Sequence, residues 1–209
     1  MVLWVPMPTF LPSLPSVSVS LPMASSPPRT DGPVDGSGGP GTPLPPVPPD
    51  LAARGIGLRP ECDDDAAFQR DLYILGRWQE MAATGWPEQM IIAFLAQQSD
   101  FQQRHYRACY GHAAWGVITK DGLPGGRLYL NHGDQEIRII DILLHPGLQG
   151  QGVGSGIIRA VFDQARALGL PVSLAVEDHN HGARRLYDRL GFISTALHGI
   201  HHTLVWTPD

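Results

Sequence analysis

The stretch Gln149-Gly150-Gln151-Gly152-Val153-Gly154-Ser155 decides how the chain is read. An apolar run, Ile139-Ile140-Asp141-Ile142-Leu143-Leu144, leads into it with the length and composition of a buried strand. After it, Val153, Ile157, Val161 and Ala165 recur on one helical face, with Ile158 and Phe162 beside them. A glycine-rich turn therefore joins a buried strand to a helix N-terminus. The first N–H groups of a helix have no intrahelical partner, and glycine lets a ligand come close to them. That combination favours an anion, most often a phosphate. Glycines alone are equally compatible with a tight turn that binds nothing.

A second stretch, Asn180-His181-Gly182-Ala183-Arg184-Arg185-Leu186-Tyr187-Asp188-Arg189-Leu190-Gly191-Phe192, follows another apolar strand, Val172 to Val176. Together the two stretches resemble the GCN5-related N-acetyltransferase (GNAT) family. Gln149, Gly152 and Gly154 fill its Gln/Arg-x-x-Gly-x-Gly/Ala pattern. Asn180, Ala183, Tyr187, Gly191 and Phe192 fill the Asn-x-x-Ala-x-x-x-Tyr-x-x-x-Gly-Phe pattern without a gap. The resemblance runs over about residues 56 to 207 and is weakest before Tyr110. It implies an α/β, GNAT-like fold: a mixed, mostly antiparallel sheet with a splayed parallel strand pair, helices on both faces, and a cofactor entering the splay.

The resemblance also implies roles. Acetyl-CoA, or another acyl-CoA, would be the donor. The turn Gln149, Gly150, Gln151, Gly152, Val153, Gly154 and Ser155 would hold the pyrophosphate through its backbone N–H groups. The main chain of Ile142, Leu143 and Leu144 would pair with the pantetheine arm, and an N–H near Leu144 would stabilise the oxyanion. Asn180 would touch the cofactor as well as cap a helix. Tyr187 would protonate the leaving thiolate; the alternative is a core aromatic whose hydroxyl merely finds a partner. A general base is harder to name. Asp141, Glu136, Glu177 and His145 are the candidates in falling order, and a water could relay the proton. Asp141, a charge inside an apolar run, calls for a partner, catalytic or structural.

Composition narrows the classes. A formal charge of −5 offers no general basic field for nucleic acid, which disfavours a toxin acting on charged tRNA. Two cysteines, Cys62 and Cys109, make no disulfide framework and lack metal-ligand spacing, so a reducing cytoplasmic setting is the default. No apolar run is long enough to span a membrane. Residues 1–50 carry 14 of the 20 prolines, and Pro6, Pro8, Pro12, Pro15 and Pro22 interrupt any signal-peptide h-region. This segment is expected to be disordered, leaving 51–209 as the acyltransferase domain.

The remaining elements follow from spacing. Ile56 to Pro60 reads as a strand, and Asp63-Asp64-Asp65 as the acidic start of a helix reaching about Glu80 rather than a metal cluster. A second helix starts at Pro87 and runs toward Tyr106. Strands are expected at 113–119, 127–132 and 136–144, with turns at Asp121-Gly122 and Gly125-Gly126. Gly169 and Pro171 close the central helix, and Gly191 closes the helix capped by Asn180. Strands at 192–195 and 201–206 end the sheet. The expectation is an N-acetyltransferase that moves an acetyl group to a primary amine of a small molecule or protein, without metal, nucleic acid or membrane, as a monomer or homodimer. The rival is an acyl-CoA-binding module without turnover.

Overall fold

The computed structural model describes residues 43–208. Its elements, in chain order, are α1 (Pro49–Ala52), β1 (Ile56–Pro60), α2 (Ala66–Ala82), α3 (Glu88–Cys109), β2 (Ala114–Lys120), β3 (Leu123–His132), β4 (Ile137–Leu144), α4 (Val153–Leu168), β5 (Val172–Glu177), α5 (His181–Arg189), β6 (Ile193–His198) and β7 (His201–Trp206). The seven strands form one sheet in the order β1-β2-β3-β4-β5-β7-β6. Every pairing is antiparallel except β4 with β5, which α4 connects. A parallel pair needs such a crossover, so the lone helix between two apolar strands sets the sheet's one parallel contact.

Alternation along β3 shows how the two faces are used. Leu128 and Leu130 belong to the main core with Ile157, Ile158, Val161 and Phe162 of α4. Arg127 and Tyr129 reach the other way, to Gln102 and Gln103 of α3. One side chain per face in turn is what a pleated strand dictates. The core on the α4 side is continuous and apolar, and Phe162 stacks on Trp206 at 4.0 Å between ring centroids. The α2–α3 side is more polar: Asp65, Gln69 and Ser99 are all buried there.

Two expectations shift. β3 begins at Leu123, so Gly125 and Gly126 lie inside a strand and the turn is Asp121-Gly122, both at positive φ. Gly125 is the extra residue of a bulge, and a Cβ there would stand 2.6 Å from Leu148 Cδ1. Glycine marks a close approach, a use that composition alone does not separate from a turn. The second shift concerns the domain edge. Residues 43–50, expected to belong to the disordered segment, pack on the domain: Gln164 Nε2 donates to Pro43 O at 3.1 Å, and Leu44 and Val47 lie against the core. The rest of that segment lies outside the described residues.

Candidate active site

β4 and β5 pair only at Ile137–Val172, Arg138–Ser173 and Ile139–Leu174. There β4 bulges: Leu130 opposes Ile139 and Tyr129 opposes Asp141, which leaves Ile140 over. A bulge bends its strand and raises the local twist. Beyond it β4 continues with β3 as far as Leu144, while β5 continues with β7 alone as far as Glu177. Among the described residues, the edge of β4 from Asp141 to Leu144 therefore has no strand beside it. The extra residue also switches parity. Ile137 and Ile139 face the α4 core, and after Ile140 it is Ile142 and Leu144 that pack against that core. Asp141 and Leu143 turn to the α2–α3 face, where Asp141 meets Arg127 and Leu143 lies over Gly76.

The chain leaves β4 through a 3-10 turn, Pro146–Leu148, whose Leu148 is buried as an anchor. His145 Nδ1 accepts from Gly147 N at 3.1 Å, Gln149 Nε2 donates to Leu144 O at 2.8 Å, and Gln151 Nε2 donates to Gly147 O at 2.6 Å. The side chains of this turn thus brace the turn itself. Gly150 and Gly152 sit at φ 71° and 77°, where a side chain is strained. A Cβ on either would meet no atom of the described residues within 4 Å, so it is the backbone angle that requires glycine there. Helix α4 starts at Val153 without a side-chain cap. From Gly150 to Ser155, no backbone N–H has a hydrogen-bond partner among the described residues. Several unpaired donors, set in a positive-φ turn and at the positive end of a 16-residue helix, form a nest for an anion.

Across the gap stand the polar side chains. Asp141 Oδ2 accepts from Arg127 Nη2, whose guanidinium also donates to Gln102 Oε1 at 2.8 Å. Arg127 is 1% exposed, and its Nε and Nη1 have no hydrogen-bond partner among the described residues. Asp141 Oδ1 has no hydrogen-bond partner among the described residues. Glu177, at the end of β5, is gripped by Arg77 of α2 at 3.0 and 3.2 Å, with His179 at 3.1 Å and His201 at 3.8 Å. Burial pushes the Glu177 carboxyl up, but the Arg77 hydrogen bonds and charge outweigh it and hold it below its ordinary value. Tyr187 on α5 is 8% exposed and packs edge-on against Phe192 at 5.5 Å. Burial pushes its phenol well above its ordinary value, and the nearby Asp141 charge adds to this. Its hydroxyl has no partner among the described residues. Asn180 Oδ1 accepts from Ala183 N at 3.1 Å and caps α5.

A family model described as Acetyltransferase (GNAT) family matches residues 73–192, more than half of the chain. The chain belongs to the GNAT family. Among curated proteins none matches the sequence. Solved structures with this fold include the PaiA N-acetyltransferase of Thermoplasma acidophilum in complex with coenzyme A, 13% identical, with 73% of this chain and 99% of that chain covered at a TM-score of 0.57. Another is a GCN5-related N-acetyltransferase from Rhodopseudomonas palustris, 21% identical, with 73% and 95% covered at a TM-score of 0.54. The GNAT fold accounts for the splayed strand pair, and family membership makes this an acyl-CoA-dependent acetyltransferase domain.

Within this GNAT domain, the strand edge Ile142–Leu144 runs directly into the glycine turn. Asp141 and Tyr187 come within electrostatic reach of each other. Of the other base candidates Glu177 stands at the gap, held by Arg77, and the remaining two separate. Glu136 lies at the opposite end of β4, 3.8 Å from Arg138, and His145 is occupied in the turn. The pairing partners Arg127 and Arg77 are absent from the motif-based reading. One signal was available for Arg127: it is the one arginine of β3, and Asp141 is the one carboxylate of β4, on the same face two residues apart in register. For Arg77, 100 residues from Glu177, no local signal exists.

Proposed function

We propose that this chain transfers an acetyl group from acetyl-CoA to a primary amine. The observation that carries the reading is the unbroken run of unpaired N–H groups from Gly150 to Ser155, continuous with the unpaired edge of β4. Those donors suit a pyrophosphate, and the Ile142–Leu144 main chain suits an extended amide-bearing arm, which would lie there as an added strand. Acetyl-CoA supplies the acyl thioester. A donor at the end of β4 then stands where negative charge develops on the carbonyl oxygen. Tyr187, kept protonated by burial and by Asp141, gives its proton toward the leaving sulfur. Asp141, held in one orientation by Arg127, keeps Oδ1 free to take the amine proton directly or through one water. Asn180, with its oxygen engaged in the cap, offers its amide N–H₂ to the cofactor side. We place the activity in a reducing, cytoplasmic setting, with residues 1–42 dispensable for it.

One observation favours the rival reading of acyl-CoA binding without turnover: both carboxylates at the gap, Asp141 and Glu177, are held by arginines. Following free thiol release from acetyl-CoA in the presence of a broad panel of primary amines decides between the two. Turnover with at least one amine supports the transferase. Tight acetyl-CoA binding with no thiol release from any amine leaves the binding module.

A further inference from the structure

The far end of the α4–α5 side carries a second feature that the acetyltransferase reading does not use. A recess of about 260 Å³ is lined by Arg159, Phe162, Asp163, Arg166, Arg189, Leu190 and Trp206. Arg159 and Arg166 sit along α4 beyond its first turn, and Arg189 ends α5, whose other end carries Asn180. Arg166 and Arg189 thus lie toward the helix ends away from the glycine turn and from Asn180, with Arg159 nearer the start of α4. Its floor is Trp206, 8% exposed, with one ring face stacked on Phe162 and the Arg166 guanidinium 5.1 Å from the ring centroid. Among the described residues the indole N–H of Trp206 has no hydrogen-bond acceptor. Gly191 lies beside that edge: a Cβ there would stand 3.8 Å from Trp206 Nε1.

The charges around the recess are unbalanced. Arg166 pairs with Asp163 at 2.7 Å, whereas Arg159 and Arg189 have no ion pair among the described residues. Three guanidinium groups against one carboxylate leave a local excess of positive charge on a chain whose formal charge is −5. The C-terminal pole of α5 opposes this, but a pole amounts to about half a charge and its carbonyls already accept from Leu190 N, Gly191 N and Phe192 N. The polar groups that line the recess are therefore donors, apart from Asp163. Guanidinium forks match tetrahedral and planar oxyanions, and an excess of about two charges selects a dianion over a monoanion. We propose that this recess is a binding site for a small dianionic oxyanion, a phosphate or phosphate monoester, separate from the acyl-CoA site.

The test is calorimetric titration of inorganic phosphate into the full chain at constant ionic strength, with and without saturating coenzyme A. Sulfate serves as a second dianion, and acetate and nitrate as monoanions. The expected result is a phosphate site that persists with coenzyme A present, accepts sulfate, and binds acetate and nitrate at least about tenfold more weakly. Arg159→Gln and Arg189→Gln should each weaken phosphate at least about tenfold. Trp206→Phe, which removes the N–H and keeps a stacked ring, should weaken it less. Glycerol 3-phosphate distinguishes the source: tighter binding than inorganic phosphate assigns the site to a monoester, and equal or weaker binding to the free ion. The proposal is overturned if phosphate binding disappears with coenzyme A, or if both arginine variants bind phosphate as wild type does. If coenzyme A itself does not bind, the acetyltransferase reading fails while the arginine variants still decide this one.

Discussion

The two walls of the β4–β5 gap are built from different material. The wall at α4 is main chain: unpaired N–H groups from Gly150 to Ser155 and the free edge of β4, with the turn's side chains bracing the turn from outside. The wall under α2 and α3 is side chains: Arg127 on Asp141, from consecutive strands, and Arg77 on Glu177, from elements 100 residues apart. A backbone site tolerates almost any neighbouring side chain but fixes its glycines. A side-chain site fixes its partners and tolerates most backbones. The donor side of the reaction should therefore break through glycines and the acceptor side through charges.

The largest effect is expected on the backbone wall. Gly152→Glu forces a side chain into φ 77° and sets a carboxylate beside the proposed phosphate nest. Losing charge-assisted bonds and adding a like charge should weaken acetyl-CoA binding about a thousandfold. Gly152→Ala carries the strain without the charge and should lose much less. Calorimetry on both, with circular dichroism to show that each is folded, checks this. Equal losses in the two would mean that the turn matters only as a turn.

Between the walls stands Tyr187. Tyr187→Phe removes the hydroxyl and keeps the ring against Phe192. If the hydroxyl donates to the leaving sulfur, kcat should fall about ten- to thousandfold with acetyl-CoA affinity unchanged. The deficit should shrink with a donor whose thiol is more acidic. An unchanged kcat, with chemistry shown to limit the rate, would leave Tyr187 as packing.

The two walls also differ in how far the sequence discloses them. The glycine turn, its helix and Asn180 are contiguous, and their spacing is dictated by local geometry, so reading them needs no tertiary information. Tyr187 is legible because it lies on the inward face of a short helix whose cap is known. The side-chain wall depends on a bulge. Had β4 alternated strictly, Asp141 would face the apolar core with Ile137 and Ile139. The extra residue at Ile140 turns it to Arg127, and nothing in the run Ile139 to Leu144 announces it. Gly125 fails in the opposite direction: it has the composition of a turn but lies in a strand because Leu148 needs the room.

On the side-chain wall, the Arg127–Asp141 pair should matter for stability. Arg127→Met removes a nearly fully buried cation and leaves Asp141 and Gln102 Oε1 without their donor. Breaking a buried pair on one side costs about 3 kcal/mol, whereas replacing both members by apolar residues is often nearly neutral. Arg127→Met with Asp141→Leu should therefore recover most of the loss in urea unfolding. A double variant as unstable as the single one would show that the pair is not the source of the cost. At the domain edge, removing residues 1–50 strips Leu44 from its place over Gly116 and Val47 from the core. That truncation should cost about 2 kcal/mol relative to removal of 1–42. Equal melting temperatures for the two would contradict the packing of Leu44 and Val47.

The smallest effect is expected where the side-chain wall reaches solvent. Arg77 and Glu177 are 34% and 23% exposed at their side chains, so the link between α2 and β5 should contribute only about 0.5–1 kcal/mol. It has a pH signature all the same. The folded-state value of Glu177 lies below its ordinary 4.5, because the Arg77 hydrogen bonds and charge outweigh burial, with His179 and His201 adding their charges when protonated. A depressed carboxyl binds fewer protons folded than unfolded, so its contribution is complete above about pH 4.5 and is lost as pH falls through the folded value. Arg77→Gln removes the cause of the depression. The variant should be less stable than wild type at pH 7, and the gap should close as the pH is lowered toward 3. A difference that instead stayed constant down to pH 3 would mean that Arg77 acts through packing and not through an ion pair with Glu177.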